Sequence, residues 1–380
     1  MTDAPDAPSI DSTVVTTTTR DMDATRGQFV RWLNTVVPGA EAEVHELDAP
    51  SANGMSSESL LVEASWNEDG NRTRSSLVLR VAPPLTAVPV FPSYDFTMQF
   101  GLLSLIASAS SVPVPTVRWL ETDPAPLGAP FFVMDRVVGR VPPDVMPYNM
   151  GSWLTEASEL ERDQLQRSTL EAIAGIHGID PASAIEALGP MPDDALRTHV
   201  SGQRAYYEWM RVNDLDEPIC VPLIERALSW LDSHWPTKPG AGVISWGDSR
   251  IGNILYDGFT PAAVLDWEMA GFAPREVDLA WCIFLHRFFE DIAATFELPG
   301  MPDFLRRSDV EATYAEITGH EPQNMDWHLV YAAVRHANVM SRVKIRAVHF
   351  GEAEMPDDLD DLIMHRAALE SMLDGDYWTE

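Results

Sequence analysis

Hydrophobic residues near the N-terminus recur at helical spacing. In RDMDATRGQFVRWLNTVVPG, the side chains of Phe29, Trp32, Leu33 and Val36 fall on one face, and the Pro-Gly pair marks a stop. We therefore expect an amphipathic helix. The preceding residues, 1–20, are rich in Thr, Asp and Pro, a composition that is typical of a disordered tail.

Three strand-like runs follow the helix: AEVHELDA, ESLLVEASW and SSLVLRVA. Between the last two, NEDGNR carries the Asp-Gly pair that favours a tight hairpin. A small antiparallel sheet is the prediction. A helix-like run, TMQFGLLSLIASA, and an apolar strand at Phe131–Met134 complete a mainly β N-terminal lobe over residues 21–136.

Helical patterns dominate after a connector that contains Gly139 and several prolines. From Pro142 onward, segments such as RDQLQRSTLEAIAGIHGID and DWHLVYAAVRHANVMSRVKIRAV repeat apolar residues every three or four positions. The predicted fold class is α+β and bilobal. A small antiparallel β lobe joins a larger, mainly helical lobe over residues 137–380.

Composition narrows the cellular setting. The chain has 380 residues, 45% of them hydrophobic, which is enough for the cores of two lobes. Two cysteines cannot form a disulfide framework, which favours a reducing compartment. The N-terminus is acidic where a signal peptide is basic, and no apolar run reaches the roughly 18 residues of a membrane span. We expect a soluble, cytoplasmic protein with no membrane partner.

The charge balance bears on possible partners. The 26 Lys and Arg residues face 58 Asp and Glu residues, a formal net charge of −32. This field repels polyanions, so a nucleic-acid partner is not expected. A cationic small substrate would be attracted, although an acidic surface also simply aids solubility. Any phosphate ligand must be held by local cations or by a metal ion.

One segment, VISWGDSRIGNILYDGFTPAAVLDWEMAG, carries the candidate chemistry. Asp248 and Asn253 have the Asp-x-x-x-x-Asn spacing of kinase-type enzymes, in which the Asp accepts the proton of the attacking hydroxyl and the Asn binds Mg²⁺. Asp266 follows the apolar strand AAVL, where such enzymes place a carboxylate ligand of Mg²⁺. The alternative is that these residues only terminate hairpins, where Asp and Asn are common. The LDWE block at the right distance favours phosphoryl transfer.

Several blocks resemble, in order, those of the aminoglycoside phosphotransferase family, relatives of choline kinases and distant relatives of protein kinases. They are VPVPTVRWLETD, AIAGIHGID, WGDSRIGNILYD and AVLDWEMAGFAPREVDLAW. The resemblance covers about residues 40 to 350. It implies a kinase-like fold and transfer of phosphate from ATP or GTP to a small-molecule hydroxyl. By position, Asp248 is the catalytic base, Asn253 and Asp266 are Mg²⁺ ligands, and Glu268 binds a second metal ion or its water.

The resemblance also implies a nucleotide site. APSANGMSSES stands where the phosphate loop should be, and its turn and main-chain amides could approach phosphate oxygens, although such a run is also typical of an ordinary turn. The residues of this predicted loop are Asn53, Gly54, Met55, Ser56 and Ser57. In FFVMDRVVG, Met134 resembles the residue beside the adenine pocket, and Asp135 to Val137 resemble the hinge whose main chain bonds the base.

The third strand supplies a candidate cation. Alternation places Val78 and Arg80 on one face, where kinases have a nucleotide-facing Lys, so Arg80 is expected to contact phosphate. The alternative is an exposed charge on the sheet. Gln99 stands where the usual Glu partner of this cation is found. A neutral amide cannot form an ion pair, but it can accept a hydrogen bond from the guanidinium.

Trp246 stands where the family commonly has His, so the imidazole hydrogen bond is expected to be absent. Trp246 and Gln99 together leave two function classes open: an active small-molecule kinase, or a catalytically impaired nucleotide-binding or regulatory protein on the same fold. Retention of Asp248, Asn253 and Asp266 favours the enzyme. Aminoglycosides, choline-like molecules, hydroxyacyl compounds and macrolides are all possible acceptors. His177 is expected to be a buried, hydrogen-bonded residue at a helix end. Asp278 is expected to brace the catalytic loop or to cap a helix.

Overall fold

The computed structural model describes residues 20–49, 57–215 and 217–378, so the predicted tail lies almost entirely outside the described residues. Helix α1, Met22–Val36, begins where the carboxylate of Asp21 accepts a hydrogen bond from the amide of Ala24 at 3.0 Å. Phe29, Trp32 and Leu33 are buried, as predicted. Val36 is the last residue of the helix and is 38% exposed, so the buried part of this face ends at Leu33.

A five-stranded antiparallel sheet follows, in the order β1-β2-β3-β5-β4. Its strands are β1 (Glu43–Asp48), β2 (Glu58–Glu68), β3 (Asn71–Val81), β4 (Val117–Glu121) and β5 (Phe131–Asp135). The predicted hairpin joins β2 and β3, and both of its turn residues, Asp69 and Gly70, have positive φ, as the tight turn requires. The apolar face of the sheet packs against α1 in a core of its own.

The helical lobe has a second and larger core. Its helices are α3 (Glu159–His177), α4 (Ile185–Leu188), α5 (Ala195–Met210), α6 (Pro222–Ser233), α7 (Arg275–Thr295), α8 (Arg307–Thr318), α9 (Met325–His349) and α10 (Arg366–Asp374). Short strands cross it: β6 (Val243–Ser245) pairs with β9 (Gly271–Ala273), and β7 (Ile254–Asp257) pairs with β8 (Thr260–Val264). Helix α2, Phe96–Ala109, comes earlier in the chain but buries its apolar side chains in this larger core. The bilobal α+β fold predicted from the sequence is confirmed.

Two segments connect the lobes. In the connector after β5, Arg140 exchanges two main-chain hydrogen bonds of 2.9 Å with Tyr256 of β7. Gly139 permits this approach, because a Cβ atom there would lie 3.0 Å from the carbonyl oxygen of Tyr256. In the loop between β3 and α2, the carbonyl oxygen of Pro89 accepts a hydrogen bond from Arg342 Nε at 3.0 Å, and that of Val90 accepts one from the Tyr206 hydroxyl at 2.7 Å.

Candidate active site

Asp248 lies in the loop between β6 and β7, and three side chains donate hydrogen bonds to its carboxylate. Trp281 Nε1 of α7 and Asn253 Nδ2 each lie 2.6 Å from one of its oxygens, and Arg250 Nε lies 3.2 Å away. The Asp248 side chain is 15% exposed. Donors on three sides fix the rotamer of this carboxylate, as a proton acceptor of defined position requires.

Asn253 is buried directly beside Asp248. Its Nδ2 donates both to the Asp248 carboxylate and, at 3.1 Å, to the Asp248 carbonyl oxygen. The amide oxygen is therefore the atom directed away from Asp248. The main-chain carbonyl of Asn253 accepts a hydrogen bond from the amide of Leu265 at 2.9 Å, which holds the chain just before Asp266 next to Asn253. The structure thus brings together the three residues singled out by their spacing.

Asp266 has a left-handed backbone conformation, with φ of 59°. Asp tolerates this region better than most residues do, but the conformation still requires support. Trp246 Nε1 gives that support by donating to the carbonyl oxygens of Leu265 at 2.8 Å and of Asp266 at 3.2 Å. Trp246 thus makes side-chain hydrogen bonds of its own, from an indole and not from an imidazole.

Arg80 points into the cleft, so its interpretation as an exposed surface charge is wrong. Its Nη2 lies 3.2 Å from Asp266 Oδ1, its Nη1 donates to Ser59 Oγ at 3.2 Å, and its side chain is 14% exposed. Gln99 is buried in the wall of the same cleft. Within the described residues, Gln99 Nε2 has no hydrogen-bond partner, and the recorded hydrogen bonds of Arg80 go to Ser59 and Asp266.

A cavity of about 340 Å³ lies between the sheet and the β7–β8 hairpin. Val78 and Leu61 line it from the sheet, and Leu255 and Val264 line it from the hairpin. Apolar walls with polar groups at one end are typical of a small-molecule site. The predicted nucleotide-binding residues in its lining are Val78, Arg80, Met134, Asp135 and Val137. Leu61 and Leu255 had no recognisable signal in the sequence.

The hinge-like segment at one edge of this cavity is tied to its neighbours. The amide of Asp135 donates to the Thr116 carbonyl at 2.8 Å, and that of Arg136 donates to the Ser76 carbonyl at 2.9 Å. The Asp135 carboxylate pairs with Arg118 at 2.8 Å, so any contribution of Asp135 to a ligand must come from its main chain. The amides of Asp135 and Arg136 are thus already bonded to neighbouring residues, and the main-chain role predicted for the segment stays a prediction.

The structure describes only some of the remaining predicted site residues. Asn53, Gly54, Met55 and Ser56 lie outside the described residues. Ser57 is buried at the start of β2, and its hydroxyl has no hydrogen-bond partner in the described part of the chain. Tyr94 lies in the loop between β3 and α2, and its pKa is raised first by burial and then by the negative charge of Glu268.

Asp278 braces the loop that carries Asp248, in line with one of the two roles expected from the sequence. It is fully buried at the start of α7 and accepts hydrogen bonds of 2.8 to 2.9 Å from Ser245 Oγ and from the amides of Trp246 and Gly247. His177, buried at the end of α3 as predicted, completes the set at 2.9 Å. Burial alone would raise the pKa of Asp278, but these hydrogen bonds, that of His177 first, lower it below its ordinary value.

A buried arginine of α9 also reaches this loop. Arg335 is fully buried, its Nη2 donates to the Gly247 carbonyl at 2.8 Å, and its guanidinium lies 4.4 Å from the Trp281 ring. Sequence reasoning missed both Arg335 and Trp281. The only available signal was a cation on the apolar face of a predicted helix.

The side-chain oxygens of Asn253 and Asp266 can be compared with the ligands that Mg²⁺ prefers. The described residues contain no group of three or more His, Cys, Asp or Glu side chains that could hold a metal ion. Asn253 and Asp266 together supply two hard oxygen donors, which suit Mg²⁺ when nucleotide phosphates and water complete its octahedron. The residues therefore fit an ion that binds together with a nucleotide. In the described part of the chain, no helix is both long and apolar enough to cross a bilayer.

Comparison with protein families gives a match to the phosphotransferase enzyme family over residues 62–307. Among curated proteins, the probable acyl-CoA dehydrogenase IBR3 of Arabidopsis thaliana is 24% identical over 313 residues. Acyl-CoA dehydrogenase family member 11 of Rattus norvegicus is 28% identical over 211 residues. These alignments cover 77% and 53% of this chain but only 35% and 24% of the two relatives, so the chain spans about a third or less of their length.

Two solved structures show the same fold. A putative aminoglycoside phosphotransferase from Ralstonia eutropha superposes with a TM-score of 0.63 at 19% identity, over 91% of this chain and 96% of the other. The second is a thermostable mutant of aminoglycoside phosphotransferase APH(4)-Ia in a ternary complex with ADP and hygromycin B. It gives a TM-score of 0.55 at 15% identity, over 92% of this chain and 99% of the other.

Proposed function

Because the chain belongs to the phosphotransferase enzyme family, we propose that it transfers the γ-phosphate of ATP or GTP to a hydroxyl of a small molecule, with Mg²⁺. The observation that carries this proposal is the arrangement of Asp248, Asn253 and Asp266. A carboxylate held by three donors lies beside Asn253, the chain just before Asp266 is bonded to Asn253, and Asp266 lines the apolar cavity. This arrangement would place the base, the metal ion and the nucleotide next to one another, in that order, along one cleft.

In this proposal Asp248 accepts the proton of the acceptor hydroxyl late in the transfer, and Trp281 and Asn253 keep its carboxylate in place. Asn253 and Asp266 would hold Mg²⁺, which supplies neutralisation of the phosphate charge. Arg80 binds phosphate oxygens through its planar fork. The main chain of Asp135 to Val137 bonds the base of the nucleotide, and Val78 and Met134 pack against it.

An active enzyme is favoured over an impaired nucleotide-binding protein. A protein that only binds nucleotide needs the metal ligands but not a fixed base, and here Trp281 and Asn253 both bond the Asp248 carboxylate. Trp246 also donates an indole hydrogen bond to the Leu265 and Asp266 carbonyls, which weakens one of the two reasons to consider impairment.

The acceptor has two candidate classes. The structural neighbours include an enzyme in complex with hygromycin B, an aminoglycoside-type acceptor, and a cationic acceptor suits the net charge of −32. The curated relatives are named acyl-CoA dehydrogenases and are more similar in sequence, which favours a hydroxyl on an acyl thioester. The two cysteines are unpaired in the structure, which supports a reducing, cytoplasmic setting.

The experiment is a transfer assay with γ-labelled ATP and GTP against aminoglycosides, macrolides, choline-like amines and hydroxyacyl thioesters, with and without Mg²⁺. Phosphorylation of one class in a Mg²⁺-dependent reaction is the expected outcome. Calorimetry with both nucleotides accompanies the assay. Failure of either nucleotide to bind at millimolar concentration in the presence of Mg²⁺ would overturn the proposal.

A further inference from the structure

Gln99 is a polar residue on the otherwise apolar buried face of α2. The other buried side chains of this helix are Phe96, Leu102, Leu103 and Ile106, which recur every three or four residues. Gln99 is 2% exposed, and its Nε2 has no hydrogen-bond partner within the described residues. A buried donor without a partner lowers stability. An apolar residue would therefore suit this position better, unless a ligand supplies the acceptor.

Gln99 lines the cavity of about 340 Å³ at the level of Arg80. Phe96 and Phe100, on either side of Gln99 along α2, pack against the ring of Phe132 at centroid distances of 5.3 and 6.5 Å. Phe132 of β5 is in turn the residue that pairs with Arg80 of β3. Gln99 is thus placed near the end of the cavity where phosphate is expected, and not beside the hinge-like segment.

The lining of this cavity offers few cations to a polyanion. Its charged side chains, in the described part of the chain, are Arg80, Asp135, Arg136 and Asp266, and their formal charges sum to zero. Arg136 belongs to the hinge-like segment, and Arg80 is already paired with Asp266. A neutral N–H donor near Arg80 would add to phosphate binding without another charge. The amide of Gln99 has two such hydrogens on Nε2.

We propose that Gln99 donates a hydrogen bond from Nε2 to a phosphate oxygen of the bound nucleotide and so positions the phosphates beside Arg80. This inference rests on the proposed phosphotransferase function. It differs from the role that the resemblance implies for this position, in which a carboxylate would pair with the cation of β3. An ionised carboxylate only accepts hydrogen bonds, so it could not bond a phosphate oxygen as an amide does. The recorded hydrogen bonds of Arg80 go to Ser59 and Asp266.

Calorimetry at pH 7.5 with Mg²⁺ tests this by comparing a nucleoside diphosphate with its nucleoside, for the base that the wild-type protein binds. Gln99→Met keeps the length of the side chain but removes the donor. It should weaken diphosphate binding by about tenfold or more, the usual effect of losing a hydrogen bond to a charged group, and change nucleoside binding by less than about twofold. Gln164→Met is the matched control, because Gln164 lies exposed on α3, where its Nε2 donates to Thr260 Oγ1 at 3.3 Å. The control should leave both affinities unchanged.

Gln99→Glu separates the proposed role from that of a partner for Arg80. If residue 99 only orients Arg80, a carboxylate there forms an ion pair, and diphosphate binding stays equal to wild type or becomes tighter. That result would overturn the inference. We expect the opposite, a loss of about tenfold or more, because the carboxylate lacks the donor and repels phosphate. Unchanged diphosphate affinity in Gln99→Met, or equal losses for diphosphate and nucleoside, would also reject the inference.

Unfolding of the ligand-free protein gives an independent measurement. Because Nε2 has no recorded partner, Gln99→Met should leave the midpoint of denaturant unfolding unchanged or raise it. A lower midpoint would show that the amide serves the fold and would contradict the inference. If the wild-type protein binds no nucleotide with Mg²⁺, the proposed function itself fails. If the wild type binds the diphosphate and both Gln99 variants bind it equally well, only the role of Gln99 is rejected.

Discussion

Arg80 Nη2 lies 3.2 Å from Asp266 Oδ1, so the predicted phosphate-binding cation and a predicted metal ligand are paired with each other across the two lobes. Both side chains are mostly buried, at 14% and 21% exposure. A nucleotide with Mg²⁺ would supply a new partner for each of them: phosphate for the guanidinium and the metal ion for the carboxylate. The ion pair therefore holds both side chains near the positions in which they would bind phosphate and Mg²⁺.

Arg80→Ala should weaken nucleotide binding by about 1.5–3 kcal/mol, because it removes hydrogen bonds to a charged phosphate group. Isothermal titration with Mg²⁺ and ATP or GTP measures this change. Arg72→Ala is a suitable control, since Arg72 lies on the same strand and pairs with Glu43 at the exposed end of the sheet. Equal affinities for wild type and Arg80→Ala would reject the role of Arg80 in binding phosphate.

Asp248→Asn and Asp266→Asn should have different effects. Asp248→Asn keeps the shape of the side chain but cannot accept a proton, so turnover should fall by about 100- to 10,000-fold with nucleotide affinity nearly intact. Asp266→Asn should reduce both turnover and Mg²⁺-dependent nucleotide binding, because it weakens a metal ligand. Steady-state kinetics on the identified acceptor and calorimetry separate the two. Equal loss of nucleotide binding in both variants would contradict the assigned roles.

Trp246→Phe should loosen the backbone at Asp266, since it removes the indole donor that bonds the Leu265 and Asp266 carbonyls. We expect a loss of about 1–3 kcal/mol in unfolding free energy from the unsatisfied carbonyls, together with weaker Mg²⁺-nucleotide binding. Trp327→Phe is the matched control, because its indole donates to the Leu231 carbonyl at 3.0 Å in the helical lobe. The control should lose comparable stability but no nucleotide affinity. Unchanged nucleotide binding in Trp246→Phe would show that Asp266 needs no such support.

Acid should destabilise the protein below about pH 6.5. Burial lowers the pKa of His286, His328 and His365 from 6.5 to about 4, and that of His336 well below 6.5. Below pH 6.5 the unfolded chain binds more protons at these sites than the folded chain, so stability falls as pH falls, down to about pH 4. Each site contributes up to about 1.4 kcal/mol per pH unit. Denaturant unfolding at pH 7.5, 6.0 and 5.0 measures the slope, and equal stability across this range would contradict the prediction.

Local patterns were sufficient for much of the fold. Alternation along β3 correctly placed Val78 and Arg80 on the cleft face, and the spacing of Asp248, Asn253 and Asp266 located residues that the structure brings together. Local signals determined these features, because strand alternation and short loops depend on nearby residues only.

Contacts between distant segments were not predictable in the same way. Trp281 reaches Asp248 across 33 residues of sequence, Asp144 reaches Arg250 across 106, and Arg335 reaches Gly247 across 88. These pairs depend on how α7, α9 and the connector pack around the loop, which one sequence does not specify locally. The supporting contacts of Asp248, the predicted base, were therefore found only in the structure.

The hydrogen bonds to Asp278 also bear on the order in which the protein assembles. His177, Ser245 and Asp278 come from α3, β6 and α7, so the loop between β6 and β7 cannot take its final shape before these three elements have met. We therefore expect the loop that carries Asp248 to form together with the packing of the helical core. The amide hydrogens of Trp246 and Gly247, bonded to a buried carboxylate, should exchange with solvent only when the whole helical lobe opens.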